Sequence, residues 1–251
     1  MVTKAAKRAK AGTGAARPTA SFALPLASVD VVALSVFEQA LHVLLVRRPN
    51  ARDEPFPGRQ ALPGGFIDVA VDVDLVSCAR RKLHDKTARG SLYIEQLGSW
   101  GGAARDPRGW SATHAYLALL PKDDALSGNG GVGAKAEWRR VDEVLRKGGL
   151  AFDHLQILAA GVERLRSKAE YTSLPAYLLA EPFTLPQLQR TYEVVLGRPV
   201  DKSGFRTRML SAQFLVEAGH VEGDSNRPPM GYRLREPETP AFFPRTFSPR
   251  G

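Results

Sequence analysis

The stretch that decides the fold is LPGGF at residues 62–66, followed by RKLHDKT at residues 81–87. Apolar residues between and within these segments recur at helical spacing: Leu75, Cys78, Ala79 and Leu83. Asp74 stands where the N-cap of such a helix is expected, because its carboxylate can accept from a free backbone N–H of the first turn. The pattern therefore predicts a glycine-rich loop that leads into an amphipathic helix.

One face of this helix carries Lys82, Asp85 and Lys86, because residues three and four apart are neighbours on a helix. The arrangement resembles the Nudix box, G-x5-E-x7-R-E-U-x-E-E-x-G-U, with U an apolar residue. In that box the glutamates of this face hold divalent cations against a pyrophosphate. Here two ammonium groups flank one carboxylate, so a magnesium ion would be repelled where it needs anionic oxygens. We therefore expect a Nudix scaffold with no catalytic residue, metal ligand or cofactor.

The loop before the helix departs from the Nudix pattern as well. It is two residues longer than the pattern, it contains no glutamate, and Ala88 replaces the closing glycine. Three aspartates, Asp68, Asp72 and Asp74, are available for the loop position. The sequence leaves open which of them takes it.

The composition is that of an ordinary soluble globular protein, with 251 residues, 43% hydrophobic and 24% charged. A single cysteine, Cys78, excludes an intramolecular disulfide and a cysteine-based zinc site. The five histidines lack the spacing of a metal site. No apolar run is long enough to cross a bilayer, so we expect a cytoplasmic protein without membrane contact.

The net charge of +9 is concentrated near the two ends of the chain. Residues 1–29 carry five basic and no acidic side chains, residues 30–182 carry a net charge of +1, and residues 183–251 carry +3. We expect residues 1–24 to form a disordered basic tail. Polyanion binding and a transit peptide are the alternatives for this tail.

Mixed strands and helices fill the next part of the chain and predict an α/β/α sandwich over residues 25–170. The predicted strands are residues 28–37, 40–47, 60–67, 93–100, 111–120 and 137–139. The predicted helices are the one that follows the Asp74 cap and carries the apolar stripe from Leu75 to Leu83, and residues 141–146 and 154–168. Glu38-Gln39 is the predicted turn of the first hairpin. A polar loop that contains Arg105 to Trp110 is expected between residues 100 and 111.

A change of pattern after Tyr171 predicts a second domain, a winged helix-turn-helix over residues 171–236. Short helical segments begin near Ser173, at Thr184 and at Asp201, the last two with capping residues, and a wing follows over residues 219–234. The remainder, residues 237–251, contains four prolines without a pattern, and we expect a disordered tail.

The two regions together resemble the Nudix-related transcriptional regulators of the NrtR type. The residues that carry the resemblance are Ala61 to Phe66, Arg81 to Leu83, Glu95-Gln96, Arg105 to Trp110, Phe183 to Leu185, Leu188-Gln189, Leu196 to Pro199, Asp201-Lys202 and Phe205-Arg206. In that family a Nudix-like domain senses a nucleotide and a winged helix binds operator DNA. The resemblance implies repression of NAD-biosynthesis genes and release of DNA on binding ADP-ribose.

The candidate ligand-binding residues follow from this resemblance. Lys82 and Lys86 could replace the cations and pair with phosphate oxygens, or they could form a solvated face in which Asp85 pairs with Lys82. The other candidates are Arg59, Arg81, Arg108 and Trp110. A surface position is favoured for Arg59, a ligand contact for Arg108, and a place in the core rather than under a nucleobase for Trp110.

The candidate DNA-binding residues are Lys202, Arg206, Arg208 and Arg227. Arg206 and Arg208 are two positions apart on the predicted recognition helix, so they cannot share one face. We therefore expect at most one of them to point straight at the base edges while the other follows the phosphates. The alternative is that these arginines are only solubilising groups.

Three classes of function remain open from the sequence. The first is a ligand-responsive DNA-binding regulator, expected to act as a homodimer on two-fold related half-sites of double-stranded operator DNA. The second is a Nudix-type hydrolase of nucleoside diphosphate derivatives, which the missing glutamates disfavour. The third is a protein-interaction module, which the basic recognition helix disfavours.

Overall fold

The structure, a computed structural model, describes residues 24–87, 93–122, 124, 136–221, 228–244 and 246–247. The predicted N-terminal tail, apart from residue 24, lies outside these residues, as does Arg227. In the first domain the elements are β1 (Leu26–Phe37), β2 (Ala40–Arg47), β3 (Gln60–Ala61), β4 (Gly64–Phe66), α1 (Leu75–Thr87), β5 (Tyr93–Asp106), β6 (Gly109–Leu119), β7 (Ala136–Arg140), α2 (Val141–Lys147) and α3 (His154–Ala169). In the second they are a 3-10 helix (Leu174–Leu178), β8 (Phe183–Thr184), α4 (Leu185–Leu196), α5 (Lys202–Ser211), β9 (Leu215–His220) and β10 (Met230–Leu234).

The first domain is built on a mixed sheet that, in the described part of the chain, has seven strands. Its main order is β3-β2-β1-β6-β5, with β4 also paired to β1 and β7 to β2. Strand β1 runs parallel to β6 and antiparallel to β2. This topology places β1 at the centre, which explains why its sequence is an almost continuous apolar run.

Helices cover both faces of the sheet, so the predicted α/β/α sandwich is confirmed. Val29 and Val31 of β1 pack in one core cluster with Cys78 and Leu83 of α1. Val32, one position along, faces the other way and packs in the cluster that contains Leu158, Val162 and Leu165 of α3. Because successive residues of a strand point to opposite faces, one apolar strand supplies both cores.

The first hairpin confirms the predicted turn. Glu38 and Gln39 have φ values of 49° and 54°, the left-handed backbone that a two-residue hairpin loop requires. The α1 cap is also confirmed, because the Asp74 carboxylate accepts from the backbone N–H of Ser77 at 2.7 Å.

The prediction of a long loop between residues 100 and 111 was wrong. Strands β5 and β6 continue to Asp106 and Gly109, so that a two-residue turn is all that separates them. Asp106 stabilises this turn, since its carboxylate accepts from the backbone N–H of Arg108 at 3.0 Å. The proline and glycines that resemble a loop in the sequence are therefore those of a tight hairpin.

The second domain has the predicted winged-helix elements. Thr184 and Gln187 form a capping box at the start of α4, and Gly197 ends the helix with a φ of 69°. Asp201 caps α5 by accepting from the backbone N–H of Gly204 at 2.7 Å. A three-stranded sheet of order β8-β10-β9 completes the domain, and the short helix predicted from Ser173 is a 3-10 helix.

The prediction that residues 237–251 form a disordered tail is wrong for the residues that the structure describes there. We call residues 237–244 and 246–247 the C-terminal strap. Phe243 and Phe247 of the strap are 6% and 9% exposed and belong to the main core cluster. The backbone N–H of Phe243 donates to the carbonyl oxygen of Tyr171 at 2.7 Å, at the start of the second domain. Buried aromatic rings thus fix a segment that its prolines alone suggest is a tail.

The core cluster that contains α3 continues into the second domain. It includes Leu165 of the first domain and Tyr177, Leu188 and Tyr192 of the second. Within the described residues, no helix is both long and apolar enough to span a membrane.

Candidate functional site

A cleft of about 160 Å³ opens where the α3-facing side of the sheet changes from apolar to polar. Along β1 this face carries Leu34 and Val32 and then Asp30 and Ser28. Along β6 the same change ends at Ser111. Alternate residues of each strand lie on the same face of the sheet, so this face is apolar at one end, in the core, and polar at the other end, where it forms the floor of the cleft.

Asp30 is the centre of this floor. Its side chain is 7% exposed, and one carboxylate oxygen accepts from Nη2 of Arg105 at 2.9 Å and lies 3.5 Å from Nε2 of His154. Arg105 also donates from Nε to Asp153 at 2.9 Å. Burial opposes ionisation of Asp30, but the hydrogen bond from His154 and the positive charge of Arg105 outweigh it and hold the pKa of the carboxyl below its usual value.

The orientation of His154 follows from its other contact. The backbone N–H of Leu62 donates to Nδ1 of His154 at 2.9 Å, so Nδ1 is an acceptor and Nε2 is the nitrogen that carries hydrogen toward Asp30. His154 is also the first residue of α3. The helix that leads to the second domain therefore begins in the wall of the cleft.

The two glycines of the LPGGF stretch are required because other atoms lie close to their backbone. A Cβ at residue 64 would lie 2.1 Å from Oδ1 of Asp30 and 2.5 Å from the carbonyl oxygen of Val29, which excludes any other residue there. Gly65 has a φ of 144°, and a Cβ there would lie 3.2 Å from Nζ of Lys82. The ammonium of Lys82 thus lies against the glycine loop that borders the cleft.

Lys82 and Lys86 do not pair with Asp85. Within the described chain neither ammonium forms an ion pair, so the alternative of a Lys82–Asp85 pair is not what the structure shows. Neither lysine lines the cleft, but the ammonium of Lys82 lies beside it, against Gly65. In the described residues, no group of three or more histidine, cysteine, aspartate or glutamate side chains is arranged to hold a metal ion.

Arg81 has a structural role. Its guanidinium donates twice to the carboxylate of Asp72, at 2.7 and 2.6 Å, so Asp72 is the loop aspartate that pairs with Arg81. The hydrogen bonds from Arg81 hold the pKa of Asp72 well below its usual value. Arg81 thus supports the loop before α1 and does not line the cleft.

Two arginines stand at the mouth of the cleft. Arg108 pairs with Asp106 at 2.8 Å and lies 4.9 Å from the centre of the Phe66 ring. Arg48, which sequence reasoning missed, pairs with Glu54 and lies 4.8 Å from the centre of the Phe152 ring. Each cation is thus held between a carboxylate and an aromatic face.

The remaining two ligand candidates do not line the cleft. Arg59 is exposed, as the sequence favoured, with its guanidinium 5.6 Å from the Phe56 ring. Trp110 is 53% exposed on β6, so the prediction that it closes the core was wrong. Its strand position turns the indole outward, whereas the next residue, Ser111, points into the cleft.

The buried centre of the site was missed from the sequence. Asp30 interrupts the apolar run of β1, and a charged residue between valines of a central strand requires a buried partner. That signal was present in the sequence. Its partners Arg105 and His154 come from β5 and from the start of α3, as does Asp153, which pairs with Arg105, and nothing in their spacing brings them together.

On the candidate recognition helix α5, the basic residues lie in two different environments. Phe205 and Met209 are buried, while Lys202 and Arg206 are exposed and form no ion pair within the described residues. Arg208 is covered by the strap. It donates to the carbonyl oxygen of Thr246 at 2.7 Å, and its guanidinium lies 4.0 Å from the centre of the Phe247 ring.

Two family models match the chain. One, described as the NUDIX domain, matches residues 26–160, and the other, described as the NrtR DNA-binding winged helix domain, matches residues 175–234. Fold and site thus define a Nudix-domain regulator with a C-terminal winged helix. The chain belongs to the NrtR family.

Proteins of two bacteria resemble this chain over 88% of its length. The ADPR responsive transcriptional repressor NtrR of Acinetobacter baylyi is 38% identical over 221 residues, which are 88% of this chain and 86% of the relative. Shewanella oneidensis NrtR, in a crystal structure with a 27mer DNA, has a TM-score of 0.80 and 39% identity, covering 88% of this chain and 99% of that one. The NUDIX domain of that protein, in a cocrystal structure with ADP ribose, has a TM-score of 0.53 and 40% identity over 60% of this chain and 94% of its own.

Proposed function

We propose that this chain is a transcriptional repressor that binds operator DNA through its winged helix and releases it when ADP-ribose binds to its Nudix domain. The observation that carries the proposal is that one chain joins a polar cleft in a Nudix domain to an exposed basic recognition helix. The Acinetobacter relative is an ADPR responsive transcriptional repressor, and the Shewanella structures contain DNA in one case and ADP ribose in the other. These relatives support DNA and ADP-ribose as the two ligands of this chain. The genes of NAD metabolism are the proposed targets, because the family resemblance implies them.

The DNA contacts that we propose are Lys202 and Arg206. Both side chains are exposed on α5, without a carboxylate to neutralise them among the described residues, and a cation in this state can displace counterions from phosphates. Arg208 is proposed instead to hold α5 against the strap. Since a winged helix reads one half-site, we propose that a homodimer reads two.

The Nudix domain is proposed to bind ADP-ribose without cleaving it. Metal-assisted hydrolysis needs cations that activate water, and these are held by carboxylates. Here Lys82 lies against the glycine loop, at the place where a carboxylate face would begin. Its ammonium can pair directly with a phosphate oxygen in place of a metal ion.

A single helix is proposed to transmit binding from the cleft to the DNA-binding domain. Helix α3 begins at His154 in the cleft wall and runs for 16 residues, which is about 24 Å. At its far end, Arg166 donates to the carbonyl oxygen of Val195 in α4, and Glu170 pairs with Arg198 at 2.7 Å. A shift of the first turn therefore changes contacts made directly with the winged helix.

The experiment for this proposal measures both ligands on the full chain. ADP-ribose added in EDTA should raise the melting temperature and release bound duplex DNA, because a ligand that binds one state stabilises it. By linkage, DNA must weaken ADP-ribose binding by the same factor. If ADP-ribose raises the melting temperature but leaves the DNA bound, the regulatory part of the proposal is wrong. If it does neither, the effector is wrong.

A further inference from the structure

The floor of the cleft contains one buried hydroxyl that the protein does not satisfy. Ser111 is 2% exposed and lines the cleft, and its Oγ has no hydrogen-bond partner. Among the described residues that line the cleft, it is the one with an unpartnered buried side-chain atom; Oδ1 of Asp153, behind Arg105, is also unpartnered but does not line the cleft. Buried polar groups in proteins are normally paired, so a hydroxyl of this kind points to a partner that the chain does not supply.

The neighbouring polar groups are already occupied. Thr113 donates to the carbonyl oxygen of Ser28, and Ser28 donates to that of Ala112, both at 3.3 Å. Arg105 donates to Asp30 and Asp153. The missing partner of Ser111 must therefore enter from the cleft.

The charges of the cleft indicate what kind of group that partner is. Arg105 is neutralised by Asp30, Arg108 by Asp106, and Arg48 by Glu54. A phosphate placed on this floor would meet the buried carboxylate of Asp30 without a spare cation opposite it, at a high cost in a dry site. A sugar ring carries no charge, and its hydroxyls donate well to a carboxylate.

The size of the cleft indicates which part of the effector enters it. Its volume of about 160 Å³ is below the roughly 300–1,000 Å³ of sites that enclose a whole small ligand. One end of a dinucleotide-sized effector can therefore enter, while Lys82, on the far side of Gly65, remains available to the pyrophosphate. Of the two ends of ADP-ribose, the terminal ribose is the one made of hydroxyls.

We propose that Ser111, with Asp30, binds the terminal ribose of the effector and thereby distinguishes ADP-ribose from ADP. The inference rests on the proposed function, because it takes ADP-ribose as the effector. It assigns to Ser111 a contact with the ligand and no part in stabilising the unliganded fold.

The test compares Ser111→Ala with Ser35→Ala in the full chain. Ser35 is the matched control, since its hydroxyl is also buried and without a partner but lies five residues, or about 16 Å, along β1 from Asp30 and does not line the cleft. Binding of ADP-ribose and of ADP is measured in EDTA by calorimetry, and the melting temperature of each unliganded variant is recorded.

Ser111→Ala should weaken ADP-ribose binding about 2- to 10-fold, the equivalent of one hydrogen bond, and leave ADP binding unchanged. Ser35→Ala should change neither. Neither variant should have a lower melting temperature than the wild type, because each removes an unsatisfied hydroxyl. If ADP does not bind even to the wild type, the terminal ribose is required, which also supports the inference.

Several results would overturn the inference. One is equal ADP-ribose binding by the wild type and Ser111→Ala, and another is an equal loss of affinity for ADP-ribose and ADP. A marked fall in the melting temperature of Ser111→Ala, with none for Ser35→Ala, would show that the hydroxyl is structural. A wild type that does not bind ADP-ribose contradicts the proposed function itself, which separates that failure from the others.

Discussion

The cleft of the Nudix domain and the recognition helix both carry arginines, but the two regions treat positive charge in opposite ways. In the cleft Arg48, Arg105 and Arg108 each pair with a carboxylate. On α5, Lys202 and Arg206 are exposed and form no ion pair with a described residue. A neutralised site selects a small ligand by shape and hydrogen bonds, whereas unpaired cations attract a polyanion of any sequence. The proposed function thus uses the same residue type for two kinds of recognition.

Arg208 is the exception among these basic residues of α5, because the strap covers it instead of leaving it exposed. Burial lowers the pKa of its guanidinium, which lies against the Phe247 ring. The difference between Arg208 and the exposed cations of α5 therefore depends on the strap. A change in the strap is expected to have the largest effect on stability.

Phe247→Ala should lower the free energy of unfolding by about 3–5 kcal/mol, because it removes a ring that packs on Tyr192 and Phe205. Phe242→Ala, in the same strap but 70% exposed, should change it by less than about 0.5 kcal/mol. Urea denaturation of both variants measures the difference. Equal and small effects would mean that the strap does not hold α5.

Asp30→Asn should lower the free energy of unfolding by about 2 kcal/mol near neutral pH, because Arg105 keeps Asp153 but loses one charged partner. The folded state holds the pKa of Asp30 below its ordinary value of 3.8. Its stabilising contribution is therefore present above 3.8 and is lost as the pH falls through the folded pKa. The difference between the wild type and Asp30→Asn should narrow in acid, as thermal denaturation across a pH series can show. A constant difference would mean that Asp30 is not ionised in the fold.

The sequence predicted most elements of the fold because their signals are local. Thr184 with Gln187, Asp201 and Asp74 cap their helices through contacts within three residues. The Glu38-Gln39 turn is equally local. Nothing beyond the neighbouring residues is needed to form these features, so a single sequence contains them.

The features that the sequence did not reveal depend on distant residues. Arg105 meets Asp30 across 75 positions, and Arg208 meets Thr246 across 38. In the sequence, Phe243 and Phe247 lie in a proline-rich segment without a pattern. Only the folded domain shows that both rings pack into its core. The role of an arginine follows from the partner that the fold gives it, and helical spacing could separate Arg206 from Arg208 without showing which one is covered.

Arg206→Ala should weaken DNA binding by about 1–3 kcal/mol if it reads a base, or lower the salt slope of binding by about one if it contacts a phosphate. Arg208→Ala should leave the salt slope unchanged, because its guanidinium already belongs to the strap. Fluorescence anisotropy at several salt concentrations distinguishes the two. A lower slope for Arg208→Ala alone would reverse the assignment.

The most direct measurement follows DNA release by ADP-ribose in EDTA. The full chain is bound to a duplex that it has selected from a randomised pool, ADP-ribose is titrated in, and the ligand is then recovered and analysed. We expect release without any divalent cation and recovery of intact ADP-ribose, with Lys82→Glu abolishing the response because it reverses the charge at the glycine loop. Release that requires magnesium and yields cleaved ADP-ribose would contradict the account and indicate a hydrolase.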